Sequence, residues 1–312
     1  MTRLIIAFLL LAGGVAADPT ADSVQFYLTR GGFAMRQEDY GKAEQAYQTV
    51  LKFSPANNEA IRNLGVIFSA RGKQDKALEY FERVYKSDSN DANTINNIGV
   101  IYSERGKSQD ALKYFKRAVS LDTLNPQYRS NLAGVMIKFG QADDALKNLR
   151  FAATVDTANP IIPYQTGKAF LINKRPDSAL SYFDRSIALK GSSPDLYYSR
   201  GIALILQKRD AEAEASLKQA LELNPRHKES LQSLGVFYVG KQRYTEALDL
   251  FKRATQADST FYQAVVSLGV MYGVTGQTAQ ADSIRARLQA QDPARAAKMD
   301  SLIQMELARP KK

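Results

Sequence analysis

Residues 233–254 read SLGVFYVGKQRYTEALDLFKRA. With Leu231 just ahead of them, Leu234 and Tyr238 fall at intervals of three and four, the spacing of one helical face. Ala247, Phe251 and Ala254 repeat that spacing after a short polar break, so the stretch predicts two helices and a tight turn. The alanine recurs every 34 residues without a slip: Ala43, Ala77, Ala111, Ala145, Ala179, Ala213, Ala247 and Ala281. A small residue of the first helix keeps the same period: Gly31, Gly65, Gly99, Ala133, Gly167, Gly201, Gly235 and Gly269. Eight copies of one unit therefore fill residues 24–295, with edges at 24–57, 58–91, 92–125, 126–159, 160–193, 194–227, 228–261 and 262–295.

Numbering each unit from 1 to 34, the first helix carries apolar residues at positions 4, 7 and 11, such as Ile95, Ile98 and Tyr102. Position 8 is small because the second helix crosses there, and position 20 is its small counterpart. Position 24 is the large knob: Tyr47, Phe81, Phe115, Leu149, Phe183, Leu217 and Phe251. Gly72, Gly106, Gly140 and Gly276 mark the turn, where a left-handed helix end needs no Cβ. Pro55, Pro225 and Pro293 are read as ending second helices, and Pro126, Pro160 and Pro194 as opening first helices.

This pattern resembles the tetratricopeptide repeat, whose period is 34 residues. The resemblance implies an all-α fold: a right-handed superhelical solenoid of helix–turn–helix repeats closed by a C-terminal capping helix. Position 4 departs from the family's preferred Trp, and Arg30, Arg129 and Arg285 stand where apolar residues are expected. Residues 296–312 hold one more amphipathic helix, with Met299, Leu302, Ile303 and Met305 as its apolar face, and a basic end. That helix is read as the cap; a membrane-surface helix is the alternative.

The chain has 312 residues, a net charge of +10, 45% hydrophobic residues, one His and no Cys. The charge raises the case for acidic or polyanionic partners, but no basic stripe or aromatic–basic motif accompanies it, so nucleic acid is not favoured. The absence of cysteine excludes disulfides and thiol chemistry, and with a lone His no structural zinc is expected. His227 falls in an inter-repeat loop with no partner readable from spacing, and it is taken as a solvated histidine. No Gly pattern fits a phosphate loop, and no cofactor or small-molecule substrate is called for. Some relatives of the family are glycosyltransferases through a separate C-terminal domain. Residues 296–312 offer nothing of that kind, and an enzyme is not expected.

The N-terminal stretch MTRLIIAFLLLAGGVAADP has Arg3, an apolar run from Leu4 to Ala12 and then small residues. It predicts a secretory signal, residues 1–17, cleaved after Ala16 or Ala17, and an exported, periplasmic or secreted protein. The apolar run is too short to span a bilayer, and an uncleaved anchor is the minority reading.

The resemblance also implies that first helices line the concave side of the superhelix, with positions 2, 5, 6, 9, 12 and 13 facing inward. Position 6 then forms a polar row: Thr29, Asn63, Asn97, Asn131, Gln165, Ser199, Ser233 and Ser267. An amide both donates and accepts, so such a row can grip an extended peptide backbone. In the later repeats positions 9, 12 and 13 turn apolar: Leu171, Ile172, Ile202, Ile205, Leu206, Val236, Val239, Val270 and Val274, with Tyr164 and Tyr198 nearby. The expectation is a protein-binding scaffold for an extended peptide or a partner protein, polar toward its start and apolar toward its end. The alternatives are a self-assembling envelope subunit and a polyanion binder. Arg62 and Asn63 match part of a chaperone-tail clamp, but Val66, Val100 and Gly134 break it.

Overall fold

The computed structural model describes residues 19–310. The signal segment, residues 1–17, and the last two lysines lie outside the described residues. Seventeen α-helices and no strand occur among the described residues, and helix follows helix in tandem pairs. Two compact units are distinguished, divided between Val135 and Met136.

The first unit holds α1 (Pro19–Arg36), α2 (Tyr40–Phe53), α3 (Asn58–Ala70), α4 (Gln74–Ser87), α5 (Ala92–Glu104), α6 (Ser108–Leu121) and most of α7 (Pro126–Lys138). The second holds α8 (Ala142–Val155), α9 (Ile161–Ile172), α10 (Pro176–Ala188), α11 (Pro194–Leu206), α12 (Asp210–Leu223), α13 (Lys228–Gly240), α14 (Tyr244–Ala257), α15 (Tyr262–Val274), α16 (Thr278–Gln291) and α17 (Pro293–Leu307). Within each unit a helix packs mainly on its sequence neighbours. Residues 19–23, ahead of the first repeat, are already the opening turn of α1.

Close approach at position 8 sets each helix crossing. A Cβ placed on Gly65 would lie 2.6 Å from Phe81 Cε1, and one on Gly167 would lie 2.5 Å from Phe183 Cε1. The rings occupy the space that glycine leaves, and Phe81, Phe183 and Phe251 are fully buried. A second pairing joins positions 11 and 23: Phe68 stacks on Tyr80, Tyr102 on Tyr114 and Phe170 on Tyr182, with centroids 5.3, 5.4 and 5.4 Å apart.

Position 15 is left-handed in every repeat. Gly72, Gly106, Gly140 and Gly276 take positive φ, as the glycines foretell, and so do Glu38, Lys174, Lys208 and Gln242. These four carry a Cβ in a region that costs about 1 kcal/mol per residue. The turn is therefore imposed by the packing of the two helices, not by glycine alone.

Several expectations are corrected. Pro160 stands at the N-cap of α9 and Pro293 opens α17, because Asp292 accepts from the Ala294 N–H at 3.1 Å and caps that helix. Met305 is 59% exposed and is not part of the cap's apolar face. Repeat six has Arg200 at position 7, where an apolar residue belongs; its guanidinium donates to Asp184 at 2.8 Å and to the Ser216 hydroxyl at 2.6 Å. In repeat eight Arg285, at the knob position, turns to Asp300 and Asp282. Met299 of α17 fills the space over Gly269 instead, so the cap helix supplies the missing knob.

Candidate binding surface

The first helices of the first unit carry Asn63, Asn97 and Asn131 one repeat apart. Asn63 and Asn97 are half-buried, and their side-chain amides are not hydrogen-bonded within the described residues. Asn131 differs. Its amide donates to Asn96 Oδ1 at 2.9 Å and accepts from Gln127 at 2.9 Å. Beside it Tyr128 donates to Asn93 at 2.8 Å. Arg62 is held by Asp91 at 2.5 Å, so it is not a free cation for a clamp.

The Asn96–Asn131 bond joins position 5 of one repeat to position 6 of the next. The second unit repeats that connection. The Ser199 and Ser233 hydroxyls moderate the upward shift that burial gives the Tyr164 and Tyr198 phenols. Gln232 and Ser267 meet at 2.8 Å. Ser199 is buried and also donates to the Asp195 carbonyl at 2.7 Å. Gln165 is half-buried and engaged as well. At Asn131 and at Ser267, then, position 6 fastens one first helix to the previous one. Among the described residues of position 6, only Asn63 and Asn97 keep free amides of the kind a peptide backbone needs. Spacing alone does not show this: Arg62 stands at position 5, 35 residues before Asn97, but turns to Asp91 and leaves the Asn97 amide alone.

The apolar row divides in the same way. Ile172, Leu206 and Val236 are 40%, 58% and 53% exposed on α9, α11 and α13. Leu171, Ile202, Ile205 and Val239 are half-buried. Val270 is buried in the core of α13–α17 and leaves the candidate surface. Tyr164 and Tyr198 lie at its edge, and burial pushes both phenols above their ordinary range. Lys168 sits against the Tyr164 ring at 5.4 Å; burial pulls its ammonium down, while the nearby Asp195 carboxylate opposes that shift.

His227 is not a solvated histidine. Its side chain is 11% exposed, and its ring meets Tyr198 edge-on at 5.8 Å. Nδ1 lies 2.8 Å from Ser230 Oγ, and Nε2 lies 3.4 Å from Asp195 and 3.5 Å from Glu229. The Ser–His–Asp composition suggests a hydrolytic site, but Ser230 is fully buried and no substrate atom could reach its oxygen. The cluster ties α13 to α11. Asp143 and Asp144 are exposed, and each is bound to a neighbouring side chain, Asn173 and Lys147.

On the second-helix side, Glu214 accepts from Tyr238 at 2.7 Å and from Lys218 at 2.8 Å. Arg243 stacks on the Tyr238 ring at 3.8 Å. The Lys218 hydrogen bond, helped by Tyr238 and by the Lys218 and Arg243 charges, lowers the Glu214 carboxyl from 4.5 to about 2; burial opposes them. A depressed carboxyl stabilises the fold above its unfolded value and stops doing so as pH falls through the folded value. Glu214→Gln is therefore expected to cost about 1 kcal/mol at neutral pH, after allowance for solvent screening. The cost should fade between pH 4.5 and about 2. Urea unfolding of both proteins across that range measures it.

Among the described residues no helix is long and apolar enough to cross a membrane. Three family models match. The middle TPR-like domain of cilia and flagella-associated protein 70 matches residues 19–122, and tetratricopeptide-repeat models match residues 194–227 and 211–260. A tetratricopeptide repeat protein from Parabacteroides merdae is 15% identical, with a TM-score of 0.60 over 80% of this chain and 99% of that one. The Cut9–Hcn1 hetero-tetramer of the APC/C contains a chain 17% identical, with a TM-score of 0.69 over 86% of this chain and 52% of that one. A thermophilic TPR protein of Thermus thermophilus is 22% identical, with a TM-score of 0.52 over 58% of this chain and 98% of that one. No curated protein matches the sequence. The fold is thus that of the tetratricopeptide-repeat solenoids, all-α and built of tandem helix pairs. The repeats of this chain are of that type, and proteins built from them generally mediate protein–protein interactions.

Proposed function

We propose that the chain is an exported, non-enzymatic scaffold that binds a partner protein or an extended peptide on the faces of its first helices. The observation that carries the reading is the uncovered apolar set Ile172, Leu206 and Val236, which no neighbouring helix shields. Exposed apolar side chains recurring on successive first helices suit an interface. In the first unit the free amides of Asn63 and Asn97 suit a peptide backbone, because each can donate and accept at once. Ile202, Ile205, Val239 and Tyr198 complete the apolar part, and Ser199 and Ser233 set small hydroxyls among them. Export rests on the charged, apolar and small-residue order of residues 1–17. The test places photoreactive side chains at Asn97 and Val236 in the cell of origin and identifies what becomes attached at each.

A further inference from the structure

The last helix does more than close the array. Elsewhere in the second unit successive first helices touch only lightly, as α11 and α13 do, yet α17 packs along α15 as extensively as α16 does. Two glycines on α15 admit it. Met299 fills the space over Gly269, and a Cβ on Gly273, one turn further, would lie 2.6 Å from Ile303 Cδ1. Gly273 is position 12, one of the positions expected to face a ligand. The end of α17 then passes repeat eight and reaches repeat seven. Tyr244 donates to Glu306 at 3.4 Å, and Gln242 donates its amide N–H to the Pro310 carbonyl at 2.8 Å. Arg309 donates to the Val239 carbonyl at 3.2 Å, at the C-terminal end of α13, where a helix favours a cation.

We propose that the first-helix face of repeats seven and eight is a docking site for an amphipathic helix, occupied in cis by α17 and its tail until a partner helix of the same pattern displaces them. The pattern is specific: two flexible or branched apolar residues four apart to fill the glycine notch, then an arginine one to two turns later. Helix-in-groove recognition reads such anchors. The cis helix competes at the millimolar effective concentration of a short tether, so a partner helix must bind more tightly than α17 or arrive in excess. The inference rests on the reading of the first-helix faces as binding surfaces, and it names the chemistry of one partner.

The experiment uses the full chain and a fluorescently labelled peptide of residues 293–312. In the variant Met299→Ser/Ile303→Ser the chain's own helix is weakened and the site is left intact. The peptide is expected to bind this variant one to one, at least tenfold more tightly than it binds the unaltered chain. Should circular dichroism show that the variant has lost its helices, Glu306→Ala/Arg309→Ala, which alters only the last turn of α17 and the tail beyond it, takes its place. Equal binding to variant and unaltered chain, or no binding to a folded variant, overturns the proposal. So does a dimer formed by exchange of α17. No natural partner is needed, so failure here leaves the crosslinking at Asn97 and Val236 to stand or fall by itself.

Discussion

Phe251→Ala is expected to lower the stability of the chain by about 3–5 kcal/mol, the usual cost of deleting a buried ring. Phe251 is fully buried, and its ring fills the space over Gly235 where α13 and α14 cross. It belongs to a core that runs from Leu217 on α12 to Ile303 on α17. Stability in a repeat array is a sum of units and nearest-neighbour interfaces, so the damage is local before it is global. Hydrogen exchange should rise first in α13–α16, ahead of α3–α6. Urea unfolding of the variant should begin earlier and spread over a wider range than that of the unaltered chain. A single sharp transition with an unchanged midpoint would contradict the packing described for repeat seven.

The second large effect comes from the other side of the same crossing. In an open helix, Gly→Ala adds about 0.5–1 kcal/mol of stability by restricting the unfolded chain. At Gly235 the sign reverses. The new Cβ would lie 2.5 Å from Phe251 Cε1 and 2.8 Å from Cζ, so the ring must shift and the crossing must widen. Overpacking of this kind costs about 1–3 kcal/mol. Two comparisons isolate the cause. Gly240→Ala, at the end of the same helix with nothing within 4 Å of its Cβ, is expected to stabilise. Adding Phe251→Leu to Gly235→Ala should recover part of the loss, because repeat four carries Ala133 and Leu149 at these two positions. The coupling in such a cycle measures the contact itself.

The repeat period made the fold legible. Ala247, Gly235 and Phe251 recur at fixed spacing because each marks a helix crossing, and a crossing constrains side-chain size on both sides. Capping was partly legible: Asn57 and Asp91 accept from Ala60 and Thr94 N–H groups at 2.9 and 2.8 Å, as their side chains suit. The candidate surface was less so. Membership of the polar row at position 6 follows from spacing, but its use depends on what stands at position 5 one repeat earlier. Asn131 and Ser267 are consumed by those neighbours, whereas Asn63 and Asn97 are not. His227 was misread because its partners, Asp195 and Tyr198, stand at the opposite end of the same repeat and share no short motif with it. Val270 was misread for a related reason. Its position is expected to face outward, but α17 packs along α15 and Val270 is buried in the core they share.

Photo-crosslinking from Asn97 and from Val236 tests the binding role most directly, with Lys116 on α6 and Ser181 on α10 as exposed controls on second helices. A defined protein attached at Asn97 and at Val236, and at neither control, is the result the binding role predicts. No protein at either position, or the same diffuse adducts at all four, would contradict it.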